Sequence, residues 1–189
     1  MIYRQEFSFE STERTRFYVI TPQVNQLILE TKTESGLILV RSPHTTMRVV
    51  VTELAEKGLV DDYIDNSLMM FGEDPRSTWF QDSSYQYKSQ TYKHYCMDNP
   101  RRLPDQIDED YNAGRHMRAS FLAQEGVTLG IIKGQIDLGQ FEDLALWEFD
   151  GRDGKGINPK RVRRFLVWVI PEEVTNLPAR LLRFEKNDS

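Results

Sequence analysis

The segment VRRFLVWVIP at residues 162–171 constrains the fold more than any other part of the chain. Its apolar side chains fall on both faces of an extended segment, which is typical of a strand with neighbours on both sides. Such a strand needs partners. Other stretches rich in β-branched or alternating apolar residues are RFYV, GLILV, MRVVV, VTLGIIKGQIDLG and FEDLALWEFD. We therefore expect a sheet that draws on most of the chain.

The order of the elements predicts an α+β protein with a mainly antiparallel sheet or barrel and a few helices. The strand segments come in pairs and do not alternate with helices, as a parallel sheet would require. A chain of 189 residues is long enough for one core, so we expect a single domain over residues 1–189. Two interruptions are expected, a long loop or insert at 73–110 and a short Gly-rich insert at 151–161.

The net charge argues against two classes of binding partner. A net charge of −5 with both signs interspersed gives no global positive field, which argues against nucleic-acid binding and against an anionic membrane surface. Cys96 is the only cysteine, so an internal disulfide is excluded. Without an export-type N-terminus or an apolar run of spanning length, the sequence predicts a soluble cytoplasmic protein.

Two helices are predicted in the first half of the chain. Thr21 is the expected cap of the first helix, and Pro22 suits its first position. Its inward stripe would be Val24, Leu27 and Ile28.

The second helix would run from Val60 to Phe71 and end at Gly72. Asp61 and Asp62 would occupy its first turn, where carboxylates offset the helix dipole. A solvated acidic face and metal ligation are both open for these aspartates.

A third helix is predicted around YNAGRHMRASF at residues 111–121. Asn112, His116 and Ser120 are spaced four apart and would share one stripe. A second, apolar stripe lies beside it: Ala113, Met117 and Phe121. The polar stripe has two explanations, a core histidine satisfied by its neighbours or a functional site.

The chain has three histidines, each in a distinctive segment. His44 follows the strand-breaking Pro43, His94 lies in the long insert, and His116 lies on the third helix. Their spacing lacks the i, i+4 pattern of a helical zinc motif, so unrelated packing histidines and a shared metal site both remain open.

Five segments in order resemble the YjbQ family, small proteins linked to a secondary thiamine-phosphate synthase activity. They are SPHTTMRVVVTE, YKHYCMDNP, NAGRHMRASFL, GQIDLGQFEDLALWEFDG and RVRRFLVWVI. RFYVITPQVNQL also resembles the family's N-terminal strand and helix. The match covers most of the chain, and the order of the motifs is more specific than any one of them.

The resemblance implies a metal site. It aligns His44, His94 and His116 with the family's three histidines, which would bind a divalent metal ion, for which zinc is our prediction. It also implies a homotrimer with sites near the subunit boundaries.

The resemblance further implies residues that act on the substrate. Thr45 and Thr46 match the hydroxyls after the first histidine, and Glu53 matches a glutamate that would act as a base or orient a ligand. An exposed carboxylate is the alternative for Glu53. Ser120 matches a serine one turn beyond the helix histidine, where a packing or hydrogen-bonding role is the alternative to a nucleophile.

Departures from the family pattern lie close to the expected site. The family's Trp-Gln pair is replaced within Gly139–Glu142, and Thr52 stands where the family has Asn. The inserted DGKGINPKR leaves Arg152 and Arg161 as rival candidates for a phosphate-binding arginine. These departures leave open whether the substrate is the family's or a different one.

The resulting hypothesis is a metal-dependent enzyme acting on a small phosphorylated metabolite. In the family's reaction an aminopyrimidine diphosphate joins a thiazole phosphate and pyrophosphate leaves. The alternatives are a metal-assisted hydrolase and a non-catalytic trimer that binds a metal or small ligand. The basic run KRVRR favours a solvated edge over a nucleic-acid site.

Overall fold

The computed structural model describes residues 1–13, 15–70, 113–151 and 161–172. Among them, the strands are β1 (Tyr3–Ser11), β2 (Arg16–Val19), β3 (Ser35–Arg41), β4 (Met47–Thr52), β5 (Gly126–Ile132), β6 (Gln135–Ile136), β7 (Asp143–Glu148) and β8 (Arg161–Pro171). The helices are α1 (Thr21–Thr31), α2 (Lys57–Met70) and α3 (Ala113–Leu122). The predicted α+β class with antiparallel strands is confirmed.

Two antiparallel sheets form a curled half-barrel. The larger has the order β1-β8-β3-β5-β6, and the smaller has the order β2-β7-β4. Val49 of β4 forms an isolated antiparallel bridge with Gln124, two residues before β5 begins. The strands predicted at GLILV, MRVVV, VTLGIIKGQIDLG and FEDLALWEFD all form.

β8 is an interior strand of the larger sheet, as its apolar character predicted. It pairs with β1 along one edge and with β3 along the other. Phe165, Val167 and Val169 point into the core, where they meet the buried stripe of α1. That stripe is Val24, Leu27 and Ile28, as expected from the sequence.

The start of α1 differs from the prediction. Ile20 takes the cap position, and Thr21 is the first helical residue with Pro22 in the first turn. The Thr21 hydroxyl instead accepts a hydrogen bond from the Leu144 amide at 2.9 Å. Thr21 therefore ties α1 to β7 and does not cap the helix.

The start of α2 also differs. The helix begins at Lys57, so Asp61 and Asp62 lie beyond its first turn. Lys57 donates to Asp61 at 2.9 Å, an i, i+4 ion pair on an exposed face, which agrees with the solvated reading of this face. Within the described residues, every helix is too short or too polar to cross a membrane.

Several predictions fall on other parts of the chain. The long insert at 73–110 and the helix end at Gly72 lie outside the described residues. Of the Gly-rich insert at 151–161, only the two end residues are described. The single-domain prediction stays a prediction.

Candidate functional site

Two carboxylates are buried where β7 ends. Every residue from Leu144 to Asp150 is buried, and Glu148 and Asp150 are both 0% exposed. A buried carboxylate is costly unless cationic or hydrogen-bonding groups surround it. The chain supplies arginines for both of them.

Arg163, on the inner face of β8, pairs with Glu148. Its Nη2 donates to Glu148 Oε1 at 2.6 Å, and its Nε donates to Oε2 of the same carboxylate. Nη2 also reaches the Thr46 hydroxyl at 3.1 Å and the Asp150 carbonyl oxygen at 3.3 Å. One guanidinium thus joins β7, β8 and the turn before β4.

Asp150 is the meeting point of two further arginines. Arg115 of α3 donates to Oδ1, and Arg161 Nη1 lies 3.1 Å from Oδ2. The Asp150 side chain is 1% exposed, whereas those of Arg115 and Arg161 are 16% and 17% exposed. The two guanidinium groups therefore form a partly open rim over a buried carboxylate.

Gly151 allows the chain to pass close to the loop after β1. A Cβ at this position would lie 1.8 Å from the Glu13 carbonyl oxygen. Only glycine fits such a backbone approach, so Gly151 fixes the segment that carries Asp150.

The buried face of α3 is the one with Arg118. Arg118 Nη2 donates to the Phe149 carbonyl oxygen at 3.4 Å, and its guanidinium lies 5.9 Å from the Phe149 ring centroid. Ala119 packs in the same cluster as Phe149, whereas Phe121 is 76% exposed. α3 therefore docks through Arg118 and the small Ala119, and not through Phe121 of the apolar stripe.

The turn between β3 and β4 is held by its own polar groups. Ser42 Oγ donates to the Met47 carbonyl oxygen at 2.6 Å and lies 3.3 Å from the His44 amide nitrogen, which donates to it. The Phe149 amide donates to the Thr46 carbonyl oxygen at 3.0 Å. These bonds place the His44–Thr46 turn directly beside the Glu148–Asp150 segment.

Arg48 connects this turn to α3. Its Nη1 donates to the His44 carbonyl oxygen at 3.4 Å, and its Nε donates to the Ala119 carbonyl oxygen at 3.3 Å. Ala119 is three residues beyond His116, so the segments that carry two of the predicted histidines are neighbours.

The His44 ring has a defined hydrogen-bond partner. The backbone amide of Arg164 donates to His44 Nε2 at 2.9 Å. Burial and the positive charges of Arg163, Arg164 and Arg161 lower the pKa of His44 to about 4. The imidazole is therefore neutral at physiological pH.

The hydroxyl residues predicted for the site have different surroundings. Thr46 is buried under Arg163, with its hydroxyl accepting from that guanidinium. Thr45 is exposed in the turn, and Ser120 is exposed on α3, one helical turn beyond the half-buried His116.

Glu53 is separated from the cluster within this chain. It follows β4 at the opposite end from Thr46, roughly 20 Å away at about 3.3 Å per strand residue. His94 and Arg152 lie outside the described residues. Arg161, the other candidate arginine, lies 3.1 Å from Asp150 Oδ2.

The described residues do not fit a metal site at His44. Within residues 1–13, 15–70, 113–151 and 161–172, three or more His, Cys, Asp or Glu side chains do not gather as metal ligands would. A metal-binding histidine usually donates its second N–H to an acceptor, whereas His44 Nε2 accepts from an amide. The predicted zinc site with His94 stays a prediction.

Five residues that dominate this cluster were not among the site residues predicted from the sequence: Arg115, Arg118, Arg163, Glu148 and Asp150. Glu148 and Asp150 stand in the apolar run LALWEFD, and an acidic residue inside a buried strand signals a buried cationic partner. The expectation that KRVRR is a solvated edge was wrong for Arg163, which alternates inward with the core residues of β8.

The cluster is suited to binding an oxyanion. Guanidinium groups match phosphate oxygens through paired N–H donors, and partial burial strengthens such bonds. Arg115 and Arg161 have both the charge and the exposure to meet a ligand. Arg163 and Arg118 are buried and donate to the Asp150 and Phe149 carbonyl oxygens.

The chain is similar to a protein family and to a protein that are both described as UPF0047. The family described as "UPF0047 protein YjbQ-like" matches residues 5–172. A UPF0047 protein of Archaeoglobus fulgidus is 27% identical over 148 residues, which are 77% of this chain and 90% of that protein.

Solved structures share the fold. A YbjQ-like protein of unknown function from Sulfolobus solfataricus is 20% identical, with a TM-score of 0.63 over 91% of this chain and 99% of that one. A hypothetical protein from Aeropyrum pernix is 18% identical, with a TM-score of 0.64 over 90% and 99% of the two chains. The chain belongs to the YjbQ-like UPF0047 family.

Proposed function

We propose that the protein binds a small phosphorylated metabolite at the rim formed by Arg115 and Arg161. The observation that carries this proposal is the convergence of both guanidinium groups on the buried Asp150, with each arginine still partly exposed. The shared carboxylate orients the two side chains before a ligand arrives. Preorganised arginines lose little entropy when they bind phosphate oxygens.

The candidate reaction is the joining of an aminopyrimidine diphosphate to a thiazole phosphate. The thiazole nitrogen attacks the methylene carbon, a C–N bond forms, the C–O bond to the diphosphate breaks, and pyrophosphate leaves with the electron pair. The attacking nitrogen carries no proton, so the step needs no general base. Its main demand is stabilisation of the charge on the leaving oxygen, which Arg115 and Arg161 would supply.

This reaction agrees with the surroundings of the residues predicted for catalysis. Glu53 is distant and is not needed as a base. Thr46 supports Arg163, and Thr45 is the exposed hydroxyl of the turn. Thr45 and Ser120 would then contact substrate through hydrogen bonds and not as nucleophiles.

Turnover of the two substrates by purified protein tests the proposal. We expect wild type to form the joined product, and Arg115→Gln and Arg161→Gln to lower the rate by about a hundredfold. Lys57→Gln is the control, because Lys57 is an exposed cation on α2, away from both the arginine rim and the outer face of the larger sheet. Equal rates in all four proteins would contradict the proposed role of the rim.

We also propose that the chain assembles as a homotrimer through the outer face of the larger sheet. Leu37 and Ile132 are 48% and 53% exposed on this face. Leu39, Leu166, Trp168 and Ile170 share the face through the strand register and are half-buried. An apolar surface of this kind is typical of a subunit interface.

The cytoplasmic location stays a prediction.

A further inference from the structure

We propose that His44 serves this site as a neutral N–H donor from Nδ1, with Nε2 fixed by the Arg164 amide, and that it does not ligate a metal ion. This inference rests on the proposed function only for the nature of the ligand, an oxyanion.

The strand topology explains why His44 Nε2 accepts a hydrogen bond from the backbone of β8. β3 pairs with β8 as far as Arg41 opposite Leu166. Continuing this register would put Pro43 opposite Arg164, but the chain turns away at Ser42. The Arg164 amide then needs another acceptor, and His44 Nε2 provides it at 2.9 Å. The His44 ring thus supplies the acceptor that β3 would have provided if it had continued beside β8.

This hydrogen bond fixes the tautomer of the ring. A nitrogen that accepts from an amide carries a lone pair, so the proton of the neutral imidazole is on Nδ1. A metal at Nε2 would displace the Arg164 amide and leave it without its acceptor. A metal at Nδ1 would force the proton onto Nε2, directly against the N–H of Arg164.

The local charge agrees with this assignment. After burial, the positive charges of Arg163, Arg164 and Arg161 are what lower the pKa of His44. The same charges would repel a divalent cation bound to the ring and attract an anion. His44 and the arginine rim therefore favour the same class of ligand.

Nitrogen-15 NMR of the full-length protein tests the assignment directly. The signals of His44 are identified by their loss in His44→Gln, with His116→Gln as the matched control. We expect the proton on Nδ1 and an unprotonated Nε2, with neither signal shifted by added zinc. A proton on Nε2, or a zinc-dependent shift of either nitrogen, would overturn the inference.

Pyrophosphate binding by the same variants tests the donor role. His44→Gln keeps an amide oxygen near the Nε2 position but lacks a donor at Nδ1, so we expect its affinity to fall about tenfold. His44→Asn keeps a donor near Nδ1 and should bind more tightly than His44→Gln. Equal affinities in wild type and both variants would overturn the donor role. Wild type that binds no pyrophosphate but retains the Nδ1 proton would instead contradict the proposed function.

Discussion

Arg163 and Glu148 form a buried ion pair, with Nη2 of the arginine 2.6 Å from Oε1 of the glutamate. Glu148 is 0% and Arg163 4% exposed, so neither charge has access to bulk water. The pair also reaches the Thr46 hydroxyl and thereby connects the two sheets to the His44 turn. The positions of the Thr46 turn and of the Asp150 backbone, which Arg163 also contacts, depend on this ion pair.

Removing one partner of this pair should be strongly destabilising. Glu148→Gln leaves Arg163 buried without its counter-charge, and we expect a loss of about 3–5 kcal/mol in the free energy of unfolding. Urea denaturation measures the loss. The double variant Glu148→Met with Arg163→Met should recover much of it, since apolar side chains need no counter-charge. Glu56 is exposed, so Glu56→Gln is the control and should change the free energy of unfolding only slightly. A change just as small for Glu148→Gln would contradict a structural role for the buried ion pair.

Gly151→Ala should disturb the segment that carries Asp150. The new methyl group would meet the Glu13 carbonyl oxygen at 1.8 Å, a backbone contact that cannot be relieved by rotating a side chain. We expect a destabilisation of about 1–3 kcal/mol, measured by thermal or urea unfolding. Gly58→Ala is the matched control, because a Cβ there meets nothing within 4 Å and alanine favours the helix. Similar stabilities of the two variants would argue against the close packing at Gly151.

The pKa of His44 predicts how stability changes with pH. The unfolded chain protonates this residue near pH 6.5, whereas the folded protein does so only near pH 4. Between these values the unfolded state binds more protons, so stability falls as the pH falls. His44→Asn cannot titrate, and it should lose less stability than wild type between about pH 7 and about pH 5. Parallel losses in unfolding experiments would contradict the lowered pKa.

The outer sheet face predicts the state of assembly. Wild type should elute and scatter light as three copies of the 22.2 kDa chain. Leu37→Glu with Ile132→Glu places two carboxylates on the apolar face and should give single chains. Leu29→Glu is the control, since Leu29 is 67% exposed on α1. A single-chain mass for wild type, or an unchanged mass for the double variant, would exclude this interface.

Local sequence patterns predicted most of the fold. The β-branched density of GLILV and MRVVV and the spacing of Val24, Leu27 and Ile28 reflect burial on one element, which neighbouring residues encode. β1 was missed although Phe7 and Phe9 alternate with polar residues.

The site was harder to predict because its contacts join distant segments. Arg163 and Glu148 lie on strands of different sheets, and Arg115 reaches Asp150 from a helix. The spacing of these residues along the chain does not indicate that they pair. His44 was singled out because it follows the strand-breaking Pro43, but the partner of its ring, the Arg164 amide, depends on where β3 leaves β8.

Calorimetric titration of pyrophosphate into wild type, Arg161→Gln and Lys57→Gln tests the central claim most directly. We predict saturable binding by wild type and Lys57→Gln, and an affinity at least about tenfold weaker for Arg161→Gln, which loses a charged donor at the rim. Equal binding by Arg161→Gln and wild type, or no binding by wild type, would contradict an oxyanion site at Asp150.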